Sequence, residues 1–132
     1  MSQADIPIKI KLFGIDVLKG KIIRHLSPLT SDAILDKLPL VLRGRFSFGS
    51  KKYWTLPGVE IYKGLNDRAN REGKKGDILY NPKTDELVFV LENQVFPNKM
   101  NKVGEIQENL EFILKARNGL NTKIIRDTNR AE

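Results

Sequence analysis

The sequence predicts a mainly β protein: a small, closed, mostly antiparallel barrel with two short helices. About eight short segments have the apolar patterns of strands, and no strand–helix–strand alternation repeats along the chain, so a parallel doubly wound sheet is not expected. The clearest signal is the stretch 76–91, in which turn-type residues separate two apolar runs. The second run, Leu87 to Leu91, has no polar residue, which is typical of a strand covered on both faces.

The other strands are predicted from alternating apolar residues and from turn signals between them. Extended segments are expected at 6–12, 18–26, 41–48, 53–56, 59–62, 103–106 and 122–126. Two polar stretches are predicted to be connections. These are the basic loop 63–75 and the segment 92–102.

The two helices are predicted from their end signals and their apolar stripes. Ser27 and Pro28 open the first helix, and Pro39 ends it. The second is expected at about 107–117, with acidic residues at its start, basic residues at its end and Gly119 just beyond it. Both helices are expected to cover the open ends of the barrel.

The composition indicates one domain over residues 1–132, with loose ends at 1–5 and 127–132. Hydrophobic residues make up 40% of the chain and charged residues 30%, the balance of a globular protein in water. No apolar run approaches about 20 residues and no secretory signal is visible, so we expect no membrane span and a cytoplasmic location. Cysteine is absent, which excludes disulfides and thiolate chemistry.

The net charge of +7 is concentrated in the segment 41–75, which has nine basic and three acidic residues. Such a surface can attract phosphates, and the rings of Tyr53, Trp54 and Tyr62 lie among these charges. Weak, sequence-independent nucleic-acid binding is therefore one alternative function. The other interpretation of the segment is a solvated, lysine-rich surface.

No metal site or cofactor is expected. His25 is the only histidine, and it shares a predicted strand face with Lys19 and Lys21, so it is interpreted as a surface residue. A single histidine without cysteine partners does not make a zinc site. The sequence also has no glycine-rich phosphate loop and no nucleophile elbow.

Three pieces of the chain, in this order and spacing, resemble the small prokaryotic, archaeal-type cyclophilin-like proteins. They are the helix ending at 34–40 with Tyr53-Trp54 after it, the stretch 76–82, and the segment 103–119 with the last strand after it. The resemblance covers roughly residues 8–125 and implies a single-domain barrel.

True cyclophilins isomerise X-Pro bonds with an arginine in a Phe-His-Arg motif, a downstream Gln-Gly-Gly and a pocket of aromatic residues. In this chain Arg45-Phe46 is the nearest match, and no Gln-Gly-Gly occurs. Peptidyl-prolyl isomerase activity is therefore kept as an alternative, in which Arg43 or Arg45 would act with Phe46, Phe48 and Trp54. The catalytic set is not assembled in the sequence, so no catalytic residue is assigned.

The predicted function is a non-catalytic binding module for a peptide or a small anionic ligand. The candidate binding residues are Arg43, Arg45, Tyr53 and Trp54, because guanidinium groups on one side of a strand next to aromatic rings suit a planar or anionic group. The alternative is that Trp54 plugs one end of the barrel while both arginines face water. The sequence carries no signal for the identity of the ligand or for an oligomeric state.

Overall fold

The computed structural model describes residues 5–47 and 49–127. Within these residues the chain forms ten strands, one α-helix and two short 3-10 helices. The strands are β1 (Asp5–Leu12), β2 (Asp16–Ile23), β3 (Leu40–Arg43), β4 (Arg45–Phe46), β5 (Tyr53–Pro57), β6 (Asn70–Gly73), β7 (Asp77–Asn81), β8 (Glu86–Val90), β9 (Gln94–Glu108) and β10 (Asn121–Arg126). The α-helix is α1 (Pro28–Lys37), and the 3-10 helices cover Arg24–Leu26 and Leu110–Lys115.

The strands form one sheet in which every neighbouring pair is antiparallel. Their order is β3-β10-β1-β2-β9-β7-β8-β5-β4, and β6 pairs with β9 off this path. The prediction of a mainly β, antiparallel protein with two short helices is confirmed. The order has two ends, β3 and β4, so strand pairing alone does not close the sheet.

The hairpin of β7 and β8 lies at the centre of the core, as its apolar sequence predicts. On one face, Ile78, Tyr80, Leu87 and Phe89 are buried in the main hydrophobic cluster. On the other face, Leu79, Val88 and Val90 pack in a second cluster with Phe96 and Met100 of β9. Both faces of the hairpin are therefore removed from water, and this prediction is confirmed.

The prediction of a polar connection at 92–102 is wrong, because residues 94–102 form the first nine residues of the fifteen-residue strand β9. Phe96 and Met100 point onto the central hairpin, while the residues between them are mostly exposed and polar. A strand that packs only every few residues lacks the continuous apolar run of a central strand. Part of the predicted loop 63–75 is also a strand, since β6 pairs with β9.

The second predicted helix is shorter than expected. Residues 107 and 108 still belong to β9, and Asn109 has a left-handed backbone with φ of 67°. The six residues that follow form a 3-10 helix, which places Leu110 and Ile113 on the same side at a spacing of three. Ile113 is fully buried, so this short helix packs against the core.

Several predicted boundaries differ from the observed ones. The second strand ends at Ile23, three residues early, where a 3-10 helix begins. The segment 59–62, predicted to be extended, has left-handed φ angles at Glu60 and Tyr62. The predicted strand 41–48 is interrupted at Gly44, and Phe48 lies outside the described residues.

Of the predicted loose ends, the two innermost residues are part of the fold. Asp5 begins β1, and the backbone N–H of Asp127 donates to the Pro7 carbonyl at 2.9 Å. The rest of the predicted ends lies outside the described residues. No helix in the described part of the chain is long and apolar enough to cross a membrane.

Candidate functional site

A cleft of about 480 Å³ lies on the outer face of the sheet, where β4, β5, β8 and β7 run side by side. We call it the main cleft. The first half of β9 forms one wall, and Asn118 lies at the β4 end. The lining residues are Arg45, Phe46, Ser47, Tyr53, Thr55, Asn81, Glu86, Val88, Phe96, Pro97, Asn98, Met100 and Asn118.

The register of the strands decides which side chains face the main cleft. Arg45 pairs with Thr55, and Thr55 pairs with Val88, so these three form one row across the sheet. Successive side chains on a strand point to opposite faces. Trp54 and Phe89, in the next row, therefore point into the core, where both are fully buried.

Arg45 is held above the main cleft by an ion pair. One terminal guanidinium nitrogen of Arg45 lies 3.2 Å from Glu86 Oε2, and the other carboxylate oxygen accepts a hydrogen bond from the Thr84 hydroxyl at 2.9 Å. The Arg45 side chain is 60% exposed, whereas that of Glu86 is only 14% exposed. Glu86 therefore orients a guanidinium whose remaining N–H groups face the solvent.

Two asparagines at opposite ends of the main cleft have fixed amide orientations. At the β4 end, Asn118 Oδ1 accepts the backbone N–H of Phe46 at 2.8 Å, so its amide nitrogen points the other way. At the β7 end, Asn98 Nδ2 donates to Asn81 Oδ1 at 2.8 Å, and that oxygen also accepts the backbone N–H of Lys83. The side-chain oxygen of Asn98, Oδ1, accepts no hydrogen bond from the other described residues.

An aromatic wall lies between these two ends. The rings of Tyr53 and Phe96 meet edge to face with their centroids 5.1 Å apart. Tyr53 is half-buried, and its hydroxyl bonds to none of the other described residues. Val88 and Met100 add apolar surface to the floor. Such a combination of apolar floor and few polar groups is typical of ligand sites.

The structure brings two of the four predicted site residues into the main cleft. Arg45 and Tyr53 line it, whereas Arg43 and Trp54 do not. Arg43 is exposed on β3, beyond the interruption at Gly44. Trp54 is fully buried: its indole N–H donates to Thr122 Oγ1 at 3.3 Å. Its ring also meets Phe46 edge to face at 4.7 Å.

The other polar residues of the main cleft were not predicted. Asn98 lies in the stretch predicted to be a connection, and Asn118 lies just after the second predicted helix. Single asparagines in such stretches normally indicate turns, so the sequence offers no signal that separates them from loop residues. Glu86 was interpreted as a turn residue, whereas the structure places it at the start of β8, paired with Asn81.

The cations of the basic segment 41–75 are spread over several surfaces. Arg45 lies at the main cleft, Lys63 lines a groove beside α1, and Lys74 lines a third, more polar depression. Arg71 is exposed, and its Nε donates to the Phe96 carbonyl of the neighbouring strand β9 at 2.8 Å. His25 is exposed, as predicted. The described residues contain no group of three side chains able to ligate a metal.

A second groove, of about 360 Å³, lies between the start of α1 and the loop 63–67. Leu29 and Leu65 line it and are 77% and 55% exposed. The loop is fixed from below by buried Asn101, whose amide donates to the Gly64 carbonyl and whose oxygen accepts the backbone N–H of Asn66. This groove is the alternative position for a ligand that the experiments must distinguish from the main cleft.

Asp85 organises the loop that precedes this groove. Its carboxylate accepts hydrogen bonds from the Tyr80 hydroxyl and from the backbone N–H groups of Glu60, Ile61 and Tyr62. Burial by itself raises the pKa of Asp85, but these hydrogen bonds outweigh it and hold the pKa below its ordinary value. Burial and the bond to Asp85 raise the pKa of Tyr80 far above its ordinary value.

At pH 7, Asp85→Asn is expected to lower the free energy of unfolding by about 1.5–3 kcal/mol, because it removes the charge that accepts these bonds. Since the folded-state pKa is depressed, the stabilisation is complete above the unfolded-state pKa of about 3.9 and is lost as the pH falls through the folded-state pKa. Urea titrations from pH 7 to pH 2 should therefore show the wild type and the variant converging in acid. Asp67→Asn, at an exposed position in the loop 63–67, is the control. A constant difference across this range would contradict the assignment.

Comparison with known proteins gives the fold and no family. No protein-family model matches the sequence, and no curated protein matches it significantly. Eight chains of solved structures match this one, and two of them cover nearly the whole chain. The hypothetical protein AF2241 from Archaeoglobus fulgidus, known from a solution structure, has a TM-score of 0.74 over 96% of this chain and 99% of its own, at 14% identity. McbB, solved in complex with tryptophan, has a TM-score of 0.74 at 10% identity.

The match to McbB covers 95% of this chain and 46% of McbB, so this chain spans about half of that protein. At such identities the likeness shows the fold alone. The sheet described above therefore recurs both as a chain of the same size and as part of a larger one.

Proposed function

We propose that this protein is a non-catalytic binding module of cyclophilin-like fold that holds a peptide or a small anionic ligand in the main cleft. The observation that carries the proposal is that one cleft is lined both by the ion pair of Arg45 and Glu86 and by the aromatic wall of Tyr53 and Phe96. A guanidinium with unused donors next to apolar surface suits an acidic group attached to an apolar one.

We further propose that the sheet is closed into a barrel through the bend at Gly44. The two ends of the strand order, β3 and β4, are consecutive in the chain and are separated by this one residue. The N–H of Gly44 donates to the Leu120 carbonyl at 2.9 Å, and its carbonyl accepts the N–H of Gly119 at 2.7 Å. The bend thus contacts the β10 side of the sheet while β4 pairs with β5 on the other side. This arrangement supports the predicted cyclophilin-like barrel.

A binding role fits the residues of the main cleft better than catalysis. Among the described residues that line it there is no histidine, and the Ser47 hydroxyl lies 2.8 Å from the Ser50 hydroxyl rather than beside a base. A serine nucleophile needs such a base within hydrogen-bond distance. The Arg45 guanidinium could polarise an amide carbonyl, so an isomerase assay is part of the test below.

Ligand binding is expected to depend on Arg45 and not on Arg43. Calorimetric titration of the protein with short peptides, amino acids and aromatic carboxylates should find at least one ligand. Tryptophan belongs in this screen because McbB was solved with it. Arg45→Ala should lower the affinity for that ligand by about tenfold or more, the usual effect of losing a hydrogen bond to a charged group.

Arg43→Ala is the matched control, since Arg43 is exposed two residues away and lies outside the main cleft. Equal losses in the two variants would indicate a general effect of charge and contradict the site. An X-Pro isomerisation rate well above the uncatalysed one, abolished by Arg45→Ala, would contradict the non-catalytic role.

A further inference from the structure

One polar group on the floor of the main cleft has no partner. Thr55 is 6% exposed and lines the main cleft, and its hydroxyl makes no hydrogen bond to the other described residues. The hydroxyl is not sealed in the core either, since Ser31 Oγ and Asp127 Oδ1 are the only fully buried side-chain atoms of the described residues that lack a hydrogen-bond partner. Polar groups removed from water are almost always hydrogen-bonded, so this hydroxyl indicates a partner that enters through the cleft.

The strand register gives the order of the groups along the main cleft. Arg45 pairs directly with Thr55, so its backbone lies beside that hydroxyl, while its guanidinium reaches Glu86. Glu86 pairs with Pro57, which lies two residues after Thr55 on β5. Tyr53 lies two residues before Thr55 on the same strand. Because a strand rises about 3.3 Å per residue, Glu86 and Tyr53 lie on opposite sides of Thr55, each roughly 7 Å away along the strand.

The charges in the main cleft cancel. Arg45 and Glu86 are the only charged side chains among its described lining residues, and they form one ion pair. An ionised group of a ligand would therefore lose its hydration without meeting a net opposite charge. The guanidinium still has unused N–H donors, because Arg45 bonds to Glu86 alone among the described residues. A neutral acceptor can use these donors without giving up the hydration of a charge.

An amide supplies what both unused groups lack. Its carbonyl oxygen accepts a hydrogen bond from a guanidinium, and its N–H donates to a hydroxyl oxygen such as that of Thr55. The edge-to-face rings of Tyr53 and Phe96 begin two residues along β5 from this hydroxyl. A further aromatic ring can pack on them in an offset or edge-to-face arrangement, which adds to the stabilisation from burial.

We propose that the main cleft binds an uncharged amide that carries an aromatic ring. The amide lies over Thr55, with its N–H on the hydroxyl and its carbonyl oxygen on the Arg45 guanidinium, and the ring lies against Tyr53 and Phe96. An aromatic residue inside a peptide and a small aromatic amide share this chemistry. The inference rests on the proposed binding function and narrows the ligands of the same site to neutral ones.

The test compares probes that differ in charge or in the ring. N-acetylphenylalaninamide, N-acetylphenylalanine and N-acetylalaninamide are each titrated into the full-length protein by calorimetry. The phenylalanine amide should bind at least about fivefold more tightly than the charged acid and at least about tenfold more tightly than the alanine amide, which lacks the ring. Its affinity should change by less than about twofold between low and high salt, since it brings no charge to the cleft.

Thr55→Val removes the hydroxyl and nearly keeps the shape of the side chain. It should lower the affinity for N-acetylphenylalaninamide about fivefold, the usual effect of one hydrogen bond. It should not lower the urea midpoint of unfolding, because the hydroxyl bonds to none of the other described residues. Thr122→Val is the matched control for stability: its hydroxyl accepts the Trp54 indole N–H, so its urea midpoint should fall.

Two further probes separate the two sources of the amide. If N-acetyl-Ala-Phe-Ala-amide binds at least as tightly as N-acetylphenylalaninamide, the cleft binds a peptide. If 3-phenylpropanamide binds and the tripeptide does not, the cleft binds a small amide. Binding of neither would overturn the inference.

An acid that binds as tightly as its amide would overturn the inference and leave a cleft for anions. Equal affinity of the wild type and Thr55→Val, or a lower urea midpoint in that variant, would also overturn it. If no probe binds while the wider screen finds a ligand that depends on Arg45, the inference fails and the proposed function stands. If no ligand is found at all, both fail.

Discussion

Phe89→Ala is expected to lower the free energy of unfolding by about 3–5 kcal/mol, the range for truncating a fully buried phenylalanine. Phe89 is 0% exposed and lies on the central strand β8, between Trp54 of β5 and Ile78 of β7. The cavity would open inside the largest cluster of the core, where rigid neighbours on both sides limit collapse. Urea denaturation followed by circular dichroism measures the change.

Leu29→Ala is the control for this measurement, because Leu29 is 77% exposed and its truncation should cost less than about 0.5 kcal/mol. A loss below about 1 kcal/mol for Phe89→Ala would contradict the position of β8 at the centre of the core.

Gly44→Ala is expected to destabilise the protein by about 3 kcal/mol, the upper end of the usual cost of overpacking. A Cβ added at Gly44 would lie 2.1–2.2 Å from three atoms of the Trp54 indole. The ring cannot easily move away, since it is fully buried and hydrogen-bonded to Thr122. Because Trp54 is the only tryptophan, the red shift of its fluorescence emission reports unfolding. In the variant this red shift should occur at a lower concentration of urea than in the wild type.

Gly64→Ala is the matched control, since a Cβ at that position meets no atom within 4 Å. Its stability should stay within about 0.5 kcal/mol of the wild type. If Gly44→Ala were equally neutral, the contact between the bend and Trp54, and with it the proposed closure of the sheet, would be contradicted.

The parts of the fold that the sequence predicts well are those with strong local signals. The central hairpin combines turn-type residues at 81–86 with an apolar run. In the structure the turn lies between Asn81, the last residue of β7, and Glu86, the first residue of β8. The helix α1 begins at Pro28 and ends at Lys37, two residues before Pro39, because proline signals both boundaries. In these places the local preference and the tertiary packing agree.

The elements that the sequence does not predict depend on contacts between distant residues. β9 is extended because it pairs with β2, β6 and β7, and its first half has too few apolar residues to show this. The short 3-10 helix at 110–115 has helix-forming residues, yet the left-handed Asn109 and the preceding strand leave it little length. Tertiary pairing overrides local propensity at both places.

The candidate site shows the same division. Arg45 was predictable as a cation near aromatic residues, and the structure places it at the main cleft. Trp54 carries the same aromatic signal as Tyr53, but the alternation along β5 turns Trp54 into the core and Tyr53 toward the cleft. The one-residue register of a strand decides such a difference, and it is fixed by pairing with β4 and β8. The cleft asparagines come together only through the fold.

The most direct test of the account is a crystal structure of the protein with the ligand that the calorimetric screen finds. We predict electron density for this ligand in the main cleft, with an acidic or carbonyl oxygen within hydrogen-bond distance of Arg45. Density in the groove beside Leu29 and Leu65, with the main cleft empty, would contradict the central claim.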